Sequence, residues 1–549
     1  MRKVSDGHFT AAVRVLTSSG VAPGNEETLR ELEKKHPDAR VLSCLPVVLM
    51  SSFPKGTSCG RDGLRAQHIV DALGKAAVAV ADDLATSITA VVNLLLAGKC
   101  PASLGEFIAS APLTPLLKPG GGIRPIAVGT VWRRLVSKVV AVVVGKEVGS
   151  YLEDFQFGVG MANRSEAILH AVNRLVEAKG DVSGMSMLLV DFSNAFNMID
   201  RSTMLREVRR QCPSLAPWVE FCYARPARLY YEGSILLSSQ GVQQGDPLRP
   251  LLFALTLHPL VHLIHEKCNL DFMAWYLDDG TIIGDTALVS SALQVITTEG
   301  SAMGLHLNVE KTKIFWPTPD PRSYDSILFP PSIARPRDGV KLLGGPVSLD
   351  AVFCSRLIED RVARTVGLME AVAGLNDPQS ELLLLRSCVG VSRLYFSLRT
   401  CPPHMLGSAP ISFVLALRKV LQDIIVDGGA GFGDWQWRCA TLPFRFGGFG
   451  VYTAQDSSVY AFVASRLQSL GLQNRLLGHG GDSGLGLACD LALNSFRDLC
   501  HFDPLDLCRV VPAPSFMKKL ATVYFDMVEK KMMAQHNPSP REKAILISN

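Results

Sequence analysis

The segment FMAWYLDDGTII, residues 272–283, places two adjacent aspartates inside an apolar run that favours β-strand. Two like charges cannot be buried side by side without a counter-ion, so a strand that carries them must present them at a turn or a sheet edge. The pair Asp279-Gly280 is a strong hairpin signal and predicts that the turn lies there. The segment is therefore predicted to be a hairpin with buried arms and an acidic tip.

A second strand, in MSMLLVDFSNAF (185–196), ends in a lone acid, Asp191. If this strand and the 272–283 hairpin are neighbours in one sheet, three carboxylates cluster at one edge. A hard divalent cation would supply the missing counter-charge, and oxygen ligands favour Mg²⁺ or Mn²⁺ over Zn²⁺. Taken alone, the aspartate pair is more typical of an exposed turn, and Asp191 of a helix N-cap or loop acid. The metal hypothesis therefore depends on the surrounding sequence.

Hairpins and helices alternate irregularly through the middle of the chain. LTPLLKPGGGIRPIAV (113–128) predicts two strands around a glycine turn, and 228–239 predicts two strands joined at Glu232-Gly233. The tail, 431–549, is mixed and poorly periodic at its end. Helices are predicted over 25–36, 66–98, 131–148, 201–211 with Ser202 as cap, 251–266, 286–303 and 351 to about 428. The pattern indicates an α+β fold and excludes the strict alternation of a doubly wound sheet.

Composition narrows the class of protein only slightly. A chain of 549 residues is too long for one core and predicts several packed subdomains. The net charge of +4 permits nucleic-acid binding without arguing for it. Thirteen irregularly spaced cysteines and no signal peptide favour reduced thiols in the nucleus or cytoplasm, not a secreted protein. The apolar runs are too short or too interrupted to cross a bilayer, so no membrane association is expected.

The order of several motifs is more specific than any one of them. LLVDFSNAF, GVQQGDPLRPLLF, YLDDG, GLHLNVEKTK and KLLGG follow one another and resemble the palm motifs of reverse transcriptases. Upstream, GRDGLRAQHI and LTPLLKPGGGIRPIAV are similar to the finger motifs of the non-LTR retrotransposon and group II intron branch. The non-LTR type fits better. The resemblance covers about residues 55–345 and, more weakly, TLPFRFGGFGV at 441–451.

This resemblance implies a right-hand polymerase with fingers, a palm built on an antiparallel sheet, and a helical thumb. The expected divisions are an N-terminal extension (1–54), fingers (55–180), palm (181–347), thumb (348–430) and a C-terminal extension (431–549). The implied activity is RNA-directed DNA synthesis by two-metal nucleotidyl transfer. It would use an RNA template, a DNA primer, dNTPs and two Mg²⁺ ions, with Mn²⁺ as an alternative.

The resemblance also assigns roles to the acids and to the residues beside the first of them. Asp191 and Asp278 would bind both metals, with Asp279 beside them, and the backbone of Phe192 would help to hold metal or triphosphate. Phe196 matches the steric-gate position, whose ring excludes a ribose 2′-hydroxyl. In isolation Phe196 would more often be an ordinary core aromatic.

Further substrate contacts are implied in the fingers and near the palm loops. Gln244 and Gly245 match the loop that lies against the nascent base pair, although they also suit a plain Gly/Pro turn. Lys118 and Arg124 flank the finger turn and could reach a triphosphate, or could be solvated hairpin charges. Lys311 matches a lysine that protonates pyrophosphate or steadies the site, with Lys313 as an equal neighbour.

The chain departs from the common motifs at Asn197, Arg249 and Leu277, where relatives often have Asp, Ser and Ala. None of these changes removes a metal ligand. No endonuclease, RNase H block or compact zinc site is evident, so the chain is expected to be the polymerase core of a larger element. The alternatives are an RNA-dependent RNA polymerase and a decayed or maturase-like nucleic-acid-binding remnant. Neither the RNA that is copied nor the priming mode nor the oligomeric state follows from the sequence.

Overall fold

The computed structural model describes residues 13, 20–34, 53, 57–73, 78–96, 100–118, 121–152, 155–160, 164–427, 429, 431–478, 484–510 and 513–536. Most of the predicted N-terminal extension lies outside these residues, as do positions 119 and 120 of the glycine turn. No helix in the described ranges is long and apolar enough to span a membrane.

Helices dominate the described part of the chain, where three small sheets lie between them. The predicted finger region contains α1 (Glu26–Lys34), α2 (Ala66–Ala72), α3 (Val78–Leu96), α4 (Ala102–Ala109), β1 (Ala111–Leu117), β2 (Ile123–Ala127), α5 (Val131–Leu152) and α6 (Arg164–Lys179). The predicted palm region contains β3 (Met185–Val190), α7 (Ala195–Met198), α8 (Arg201–Gln211), α9 (Ala216–Tyr223), β4 (Ala227–Tyr231), β5 (Ser234–Ser238), α10 (Arg249–Lys267), β6 (Phe272–Tyr276), β7 (Asp279–Asp285), α11 (Thr286–Ala302), β8 (Lys313–Phe315), β9 (Val340–Leu342) and β10 (Gly345–Val347).

The remainder is entirely helical between its loops. It contains α12 (Ala351–Ala373), α13 (Pro378–Leu384), α14 (Tyr395–Thr400), α15 (Ala409–Val426), α16 (Asp434–Ala440), α17 (Ala454–Gln468), α18 (Leu470–Leu477), α19 (Leu487–Cys500), α20 (Pro504–Cys508) and α21 (Ala513–His536). The mixed character predicted for the tail is therefore wrong over its described part. Apolar residues at helical spacing in α21, among them Phe516, Leu520 and Tyr524, are buried in a core that α17 shares.

The central sheet has the order β6-β7-β3-β8, and every neighbouring pair in it is antiparallel. The α+β class and the antiparallel palm sheet are thus confirmed. One face packs on α10 and α11 in the largest core, around Leu188, Trp275 and Ile282. The other packs on α6 around Met187 and Ile283. Because both faces are covered, β3 and all but the two end residues of β7 are buried almost throughout.

The second sheet has the order β2-β1-β4-β5 and joins two regions of the predicted division. β1 pairs antiparallel with β2 as predicted, and it also pairs in parallel with β4, a pairing that no local sequence pattern indicates. The β4–β5 hairpin lies within the residues predicted to be palm, yet it extends the sheet of the predicted fingers. Its turn is Glu232-Gly233 as predicted, and both residues have positive φ.

Two local predictions are wrong. Asp200 rather than Ser202 caps α8, because its carboxylate accepts a 2.7 Å hydrogen bond from the Thr203 amide. The turn of the acidic hairpin is Leu277-Asp278 rather than Asp279-Gly280, since Tyr276 pairs with Asp279 and Trp275 with Gly280. Leu277 adopts φ +58°, a left-handed conformation that a leucine rarely takes.

The boundary predicted at residue 430 does not separate two hydrophobic cores. One core contains residues of α12 and α15 together with Trp437, Val451 and Ala461 from beyond that boundary. A buried polar network also ties the tail to α6. Glu166 forms an ion pair with Arg399 at 2.7 Å and accepts a hydrogen bond from Ser465, whose hydroxyl also contacts the ring of His170.

Candidate active site

The acidic residues lie at the same end of two paired strands. Val190 of β3 pairs with Gly280 of β7 as the last step of their ladder, so Asp191 and Asp279 follow at neighbouring positions on that edge. Strands in a sheet are about 4.8 Å apart, which brings the three carboxylates into one cleft. The structure therefore brings together Asp191, Asp278 and Asp279, as the sequence predicted.

Each of these carboxyl groups has a raised pKa. Desolvation raises the pKa of Asp278, and the charge of Asp191 adds to this. The side chain of Asp279 reaches the surface, but partial desolvation and the charges of Asp278 and Asp191 raise its pKa to about 6. Desolvation also raises the pKa of Asp191. Like charges held this close make the cleft a place where a cation is favoured.

No group of three or more His, Cys, Asp or Glu side chains among the described residues has the geometry to hold a metal ion by itself. Mg²⁺ does not require such a cage, because it is usually bound by one or two carboxylates together with water and substrate phosphate. The oxygen-only donor set and the mutual repulsion of the acids fit a hard divalent ion. The residues that could hold it are Asp191, Asp278 and the backbone of Phe192.

The hairpin tip that carries Asp278 is fixed from outside by Gln156. The buried Gln156 amide accepts a 2.7 Å hydrogen bond from the Leu277 amide and donates one of 3.2 Å to the Leu277 carbonyl. Phe155 and Phe157 bond to the backbone of Trp275 at 2.7 Å on either side. The segment 155–158 thus stabilises the left-handed conformation of Leu277, which neither strand could impose.

Phe192 and Phe196 follow Asp191 into the interior of the palm. The ring of Phe192 is buried and stacks on Trp275, with 5.9 Å between centroids. Phe196 is only partly buried and contacts Phe253 at 4.5 Å between centroids. Its carbonyl accepts a 2.6 Å hydrogen bond from Val242, which fixes its backbone. Phe196 therefore combines a fixed backbone with a ring that is partly exposed.

The loop that carries Gln244 and Gly245 lies against the finger strand β2. The Ala127 amide donates a 2.7 Å hydrogen bond to the Gln244 carbonyl. Gly245 has φ +135°, and a Cβ atom there would lie 2.2 Å from the Ala127 carbonyl oxygen. The glycine is thus required by the contact between palm loop and fingers, in addition to any contact with substrate.

A buried ion pair anchors the same loop from below. Arg133 of α5 donates to the Asp246 carboxylate at 2.9 Å, and the Tyr223 hydroxyl donates to the same oxygen at 2.8 Å. Arg133 also bonds to the Ala109 carbonyl and to Gln243. Burial and the charge of Asp246 raise the pKa of Tyr223 well above its ordinary value. The loop therefore has little freedom relative to the fingers and the palm.

Two cations of the predicted fingers act electrostatically on the acids of the cleft. Lys118 and Arg124 flank the glycine turn of the β1–β2 hairpin. The charge of Lys118 lowers the pKa of Asp191, whereas the charge of Arg124 lowers that of Asp278. The structure thus brings both cations to the carboxylate cluster from the finger side.

Lys311 and Lys313, which the sequence could not distinguish, face different surroundings. The charge of Lys311 lowers the pKa of Asp191, whereas the charge of Lys313 lowers the pKa of Lys341. The loop of Lys311 is tied to Asp191 by two residues that sequence reasoning missed. The Asn308 amide donates to the Asp191 carbonyl at 2.8 Å, and the Thr312 hydroxyl accepts from the Asp191 amide at 3.3 Å.

The residues that sequence reasoning missed differ in how far the sequence could have indicated them. Asn308 and Asp246 lie inside the motifs GLHLNVEKTK and GVQQGDPLRP, where each is a polar residue in an apolar context. Gln156 lies 122 residues from Asp278, by subtraction of 156 from 278, and Arg133 lies 113 residues from Asp246, by subtraction of 133 from 246. Only the fold shows that they serve the site.

Comparison with known proteins bears on the same part of the chain. Residues 116–347 match the family described as "Reverse transcriptase (RNA-dependent DNA polymerase)". The matched region contains the acids, Phe192, Phe196, Gln244, Gly245 and Lys311, as well as Lys118 and Arg124. Reverse transcriptases in general depend on divalent metal ions and act on a nucleic-acid template and primer.

The similarity extends beyond the reverse transcriptase domain in one curated relative. The chain is 29% identical over 401 residues to the retrotransposable element SLACS 132 kDa protein of Trypanosoma brucei gambiense. The match covers 71% of this chain and 32% of the relative, so the chain spans about a third of the relative's length. Together the two matches confirm the resemblance to non-LTR retrotransposon reverse transcriptases.

Two solved structures have low similarity to this chain. A telomerase from Candida albicans has 11% identity and a TM-score of 0.35, covering 61% of this chain and 65% of its own. The RNA-dependent RNA polymerase of a human picorbirnavirus has 11% identity and a TM-score of 0.35, covering 78% of each chain. Scores this low support no conclusion about function.

Proposed function

We propose that this chain is an RNA-directed DNA polymerase that adds dNTPs to a primer 3′-hydroxyl on an RNA template. The observation that carries the proposal is the convergence of Asp191 with Asp278 and Asp279 at one edge of the β3–β7 pair, inside a reverse transcriptase domain. The raised pKa values of all three acids are the electrostatic signature expected of a cation site.

The carboxylates of Asp191 and Asp278 and the carbonyl of Phe192 would hold two divalent ions, Mg²⁺ by the chemistry of the donors. When bound, such ions lower the pKa of the attacking 3′-hydroxyl and neutralise charge on the departing pyrophosphate. Lys118 and Arg124 would orient the triphosphate from the finger side, Lys as a point charge and Arg as a fork. Lys311 would steady Asp191 and donate a proton toward the leaving pyrophosphate.

The nucleotide base and sugar would be positioned by apolar and loop contacts. Phe196 would close the space that a ribose 2′-hydroxyl needs, which favours dNTPs over rNTPs. Gln244 would lie against the nascent base pair, on a loop anchored by Asp246 and pressed on β2 through Gly245. Rigid support of this kind limits the reorganisation needed before reaction.

Primer extension on an RNA template with Mg²⁺ or Mn²⁺ tests the proposal. We expect wild-type protein to incorporate dNTPs and the Asp278→Asn variant to bind template without extending the primer. Incorporation of rNTPs in preference to dNTPs would instead identify an RNA-dependent RNA polymerase. Absence of any extension, with template binding retained, would identify a binding remnant.

A further inference from the structure

Arg249 stands where the resembling motifs often carry serine, and it begins α10. Its guanidinium carbon lies 4.5 Å from the ring centroid of Phe196. Phe253, four residues later on the same face of α10, contacts the same ring at 4.5 Å between centroids. Phe196 therefore packs against two side chains of the first turns of one helix, a buried aromatic ring and a cation.

The guanidinium of Arg249 is surrounded by charges but forms no hydrogen bond or ion pair within the described part of the chain. Burial lowers its pKa, and the charges of Asp278 and Asp246 oppose that effect. The charge of Arg249 in turn lowers the pKa of Asp278. Its backbone, by contrast, is fixed: the Arg249 amide donates to the Asp246 carbonyl at 3.1 Å. The Asp246 carboxylate is itself held by Arg133 and Tyr223. The side chain thus extends from a rigid loop, and its guanidinium carbon lies 4.5 Å from the centroid of the Phe196 ring.

The position of the Phe196 ring is less well fixed than its backbone. The Phe196 carbonyl bonds to Val242, but the side chain is only partly buried. Phe253 supports the ring from the interior, since that residue is fully buried. Removal of the guanidinium would leave the cleft side of the ring without a packed neighbour from α10. An arginine stacks on an aromatic ring more effectively than a lysine, because its planar head covers the ring.

We propose that Arg249 is a specificity-determining positioning residue that holds the ring of Phe196 where it excludes a ribose 2′-hydroxyl. This inference rests on the proposed polymerase function. A hydroxyl adds little volume, so a small displacement of the Phe196 ring would be enough to admit a ribose 2′-hydroxyl and reduce the discrimination between dNTPs and rNTPs. Serine at this position cannot reach the ring, so the chain differs here from proteins that carry serine.

The first test compares incorporation of dNTPs and rNTPs by wild type, Arg249→Ser and Arg249→Lys. The ratio of kcat/KM for dNTP to that for rNTP should fall at least about 10-fold in Arg249→Ser, and Arg249→Lys should lie between the two. Arg206→Ser is the matched control, because that side chain is 61% exposed and pairs with its neighbour Glu207. Its ratio should equal that of wild type.

The second test needs no catalysis. 4-Fluorophenylalanine at position 196 reports the surroundings of the ring through its ¹⁹F resonance. We expect Arg249→Ser to shift and broaden that resonance, and Arg206→Ser to leave it unchanged. An unchanged resonance in Arg249→Ser would show that the guanidinium does not hold the ring.

The outcomes separate the role of Arg249 from the proposed function. If the wild type is active and Arg249→Ser keeps the wild-type selectivity, the positioning role is overturned. This holds even if the variant has a higher KM for both nucleotides, and Arg249 is then a triphosphate contact only. A wild type that extends with neither nucleotide overturns the polymerase function and with it the selectivity role. If Arg249→Ser does not fold, Arg249→Lys decides: selectivity below that of wild type supports the proposal, and equal selectivity overturns it.

Discussion

Val190 and Gly280 form the last residue pair between the two central strands of the palm sheet. Asp191 follows Val190 and Asp279 precedes Gly280 at that end of the strands. This pairing converts two distant motifs into one cluster of carboxylates. The cluster is electrostatically unfavourable without a counter-ion, since each of its members has a raised pKa. Such a site lowers the stability of the folded protein, so substitutions in it should change the free energy of unfolding as well as activity.

Asp278→Asn should abolish primer extension by at least about 10³-fold, because loss of a metal-binding carboxylate removes several kcal/mol of transition-state stabilisation. Template binding should change little, because it depends on cations elsewhere in the protein. Single-turnover extension and fluorescence anisotropy of a labelled template measure the two effects. Normal extension by this variant would falsify the assignment of the catalytic acids.

The pKa of about 6 for Asp279 predicts how the metal-free protein responds to pH. A carboxyl whose folded-state pKa is raised holds its proton more tightly in the folded protein, so its contribution favours folding below about pH 4 and is lost as the pH rises through 6. The free energy of unfolding should therefore rise more between pH 7.5 and pH 5 in wild type than in Asp279→Asn. Denaturant unfolding in EDTA at the two pH values measures the difference, and equal changes in both proteins would contradict it.

Lys311→Ala and Lys313→Ala form a matched pair two residues apart. Lys311 lowers the pKa of Asp191, so its removal should raise that pKa further and move the acid limb of the kcat profile to higher pH. Lys313 instead lowers the pKa of Lys341, so the Lys313→Ala substitution should leave the acid limb of the kcat profile unchanged. Equal shifts in the two variants would mean that Lys311 has no special relation to Asp191.

Gly245→Ala should displace the Gln244 loop, because the new methyl group would lie 2.2 Å from the Ala127 carbonyl and φ is +135°. We expect a loss of at least about 1–3 kcal/mol in the free energy of unfolding and a raised KM for nucleotide. Gly367→Ala is the control, because Gly367 lies within α12 and has no atom within 4 Å of an added Cβ. That variant should gain about 0.5–1 kcal/mol.

Gln156→Met should weaken the acidic hairpin without touching an acid. It removes both hydrogen bonds to the Leu277 backbone and leaves a partly buried amide and carbonyl without these partners, at a cost of about 1–3 kcal/mol. We expect kcat to fall more than KM rises, since the displaced group is the one that carries Asp278. Gln294→Met, on the exposed face of α11, should change the unfolding free energy by less than about 0.5 kcal/mol.

Local patterns predicted most of the secondary structure. The helices expected at 131–148, 201–211, 251–266 and 286–303 are present with ends that differ by a few residues. Local chemistry failed where tertiary contacts decide. The Asp-Gly signal placed the hairpin turn two residues too late, because Gln156 and its neighbours hold Leu277 in a conformation that its own sequence does not favour. The boundary at 430 was predicted where the helical pattern from 351 to about 428 ends, but residues on both sides of it share one hydrophobic core.

The sequence by itself determined the chemistry of this protein: which acids stand at the ends of apolar strands, which ring follows the first acid, and which glycine and glutamine form the adjoining loop. Motif order sufficed for this, because reacting groups depend on residue type and short-range spacing. The tertiary structure alone decided which residues support that chemistry. Gln156 at the hairpin tip, Arg133 beneath the loop and Arg249 on the gate ring act through contacts between segments far apart in sequence, and no local periodicity records a contact of that kind.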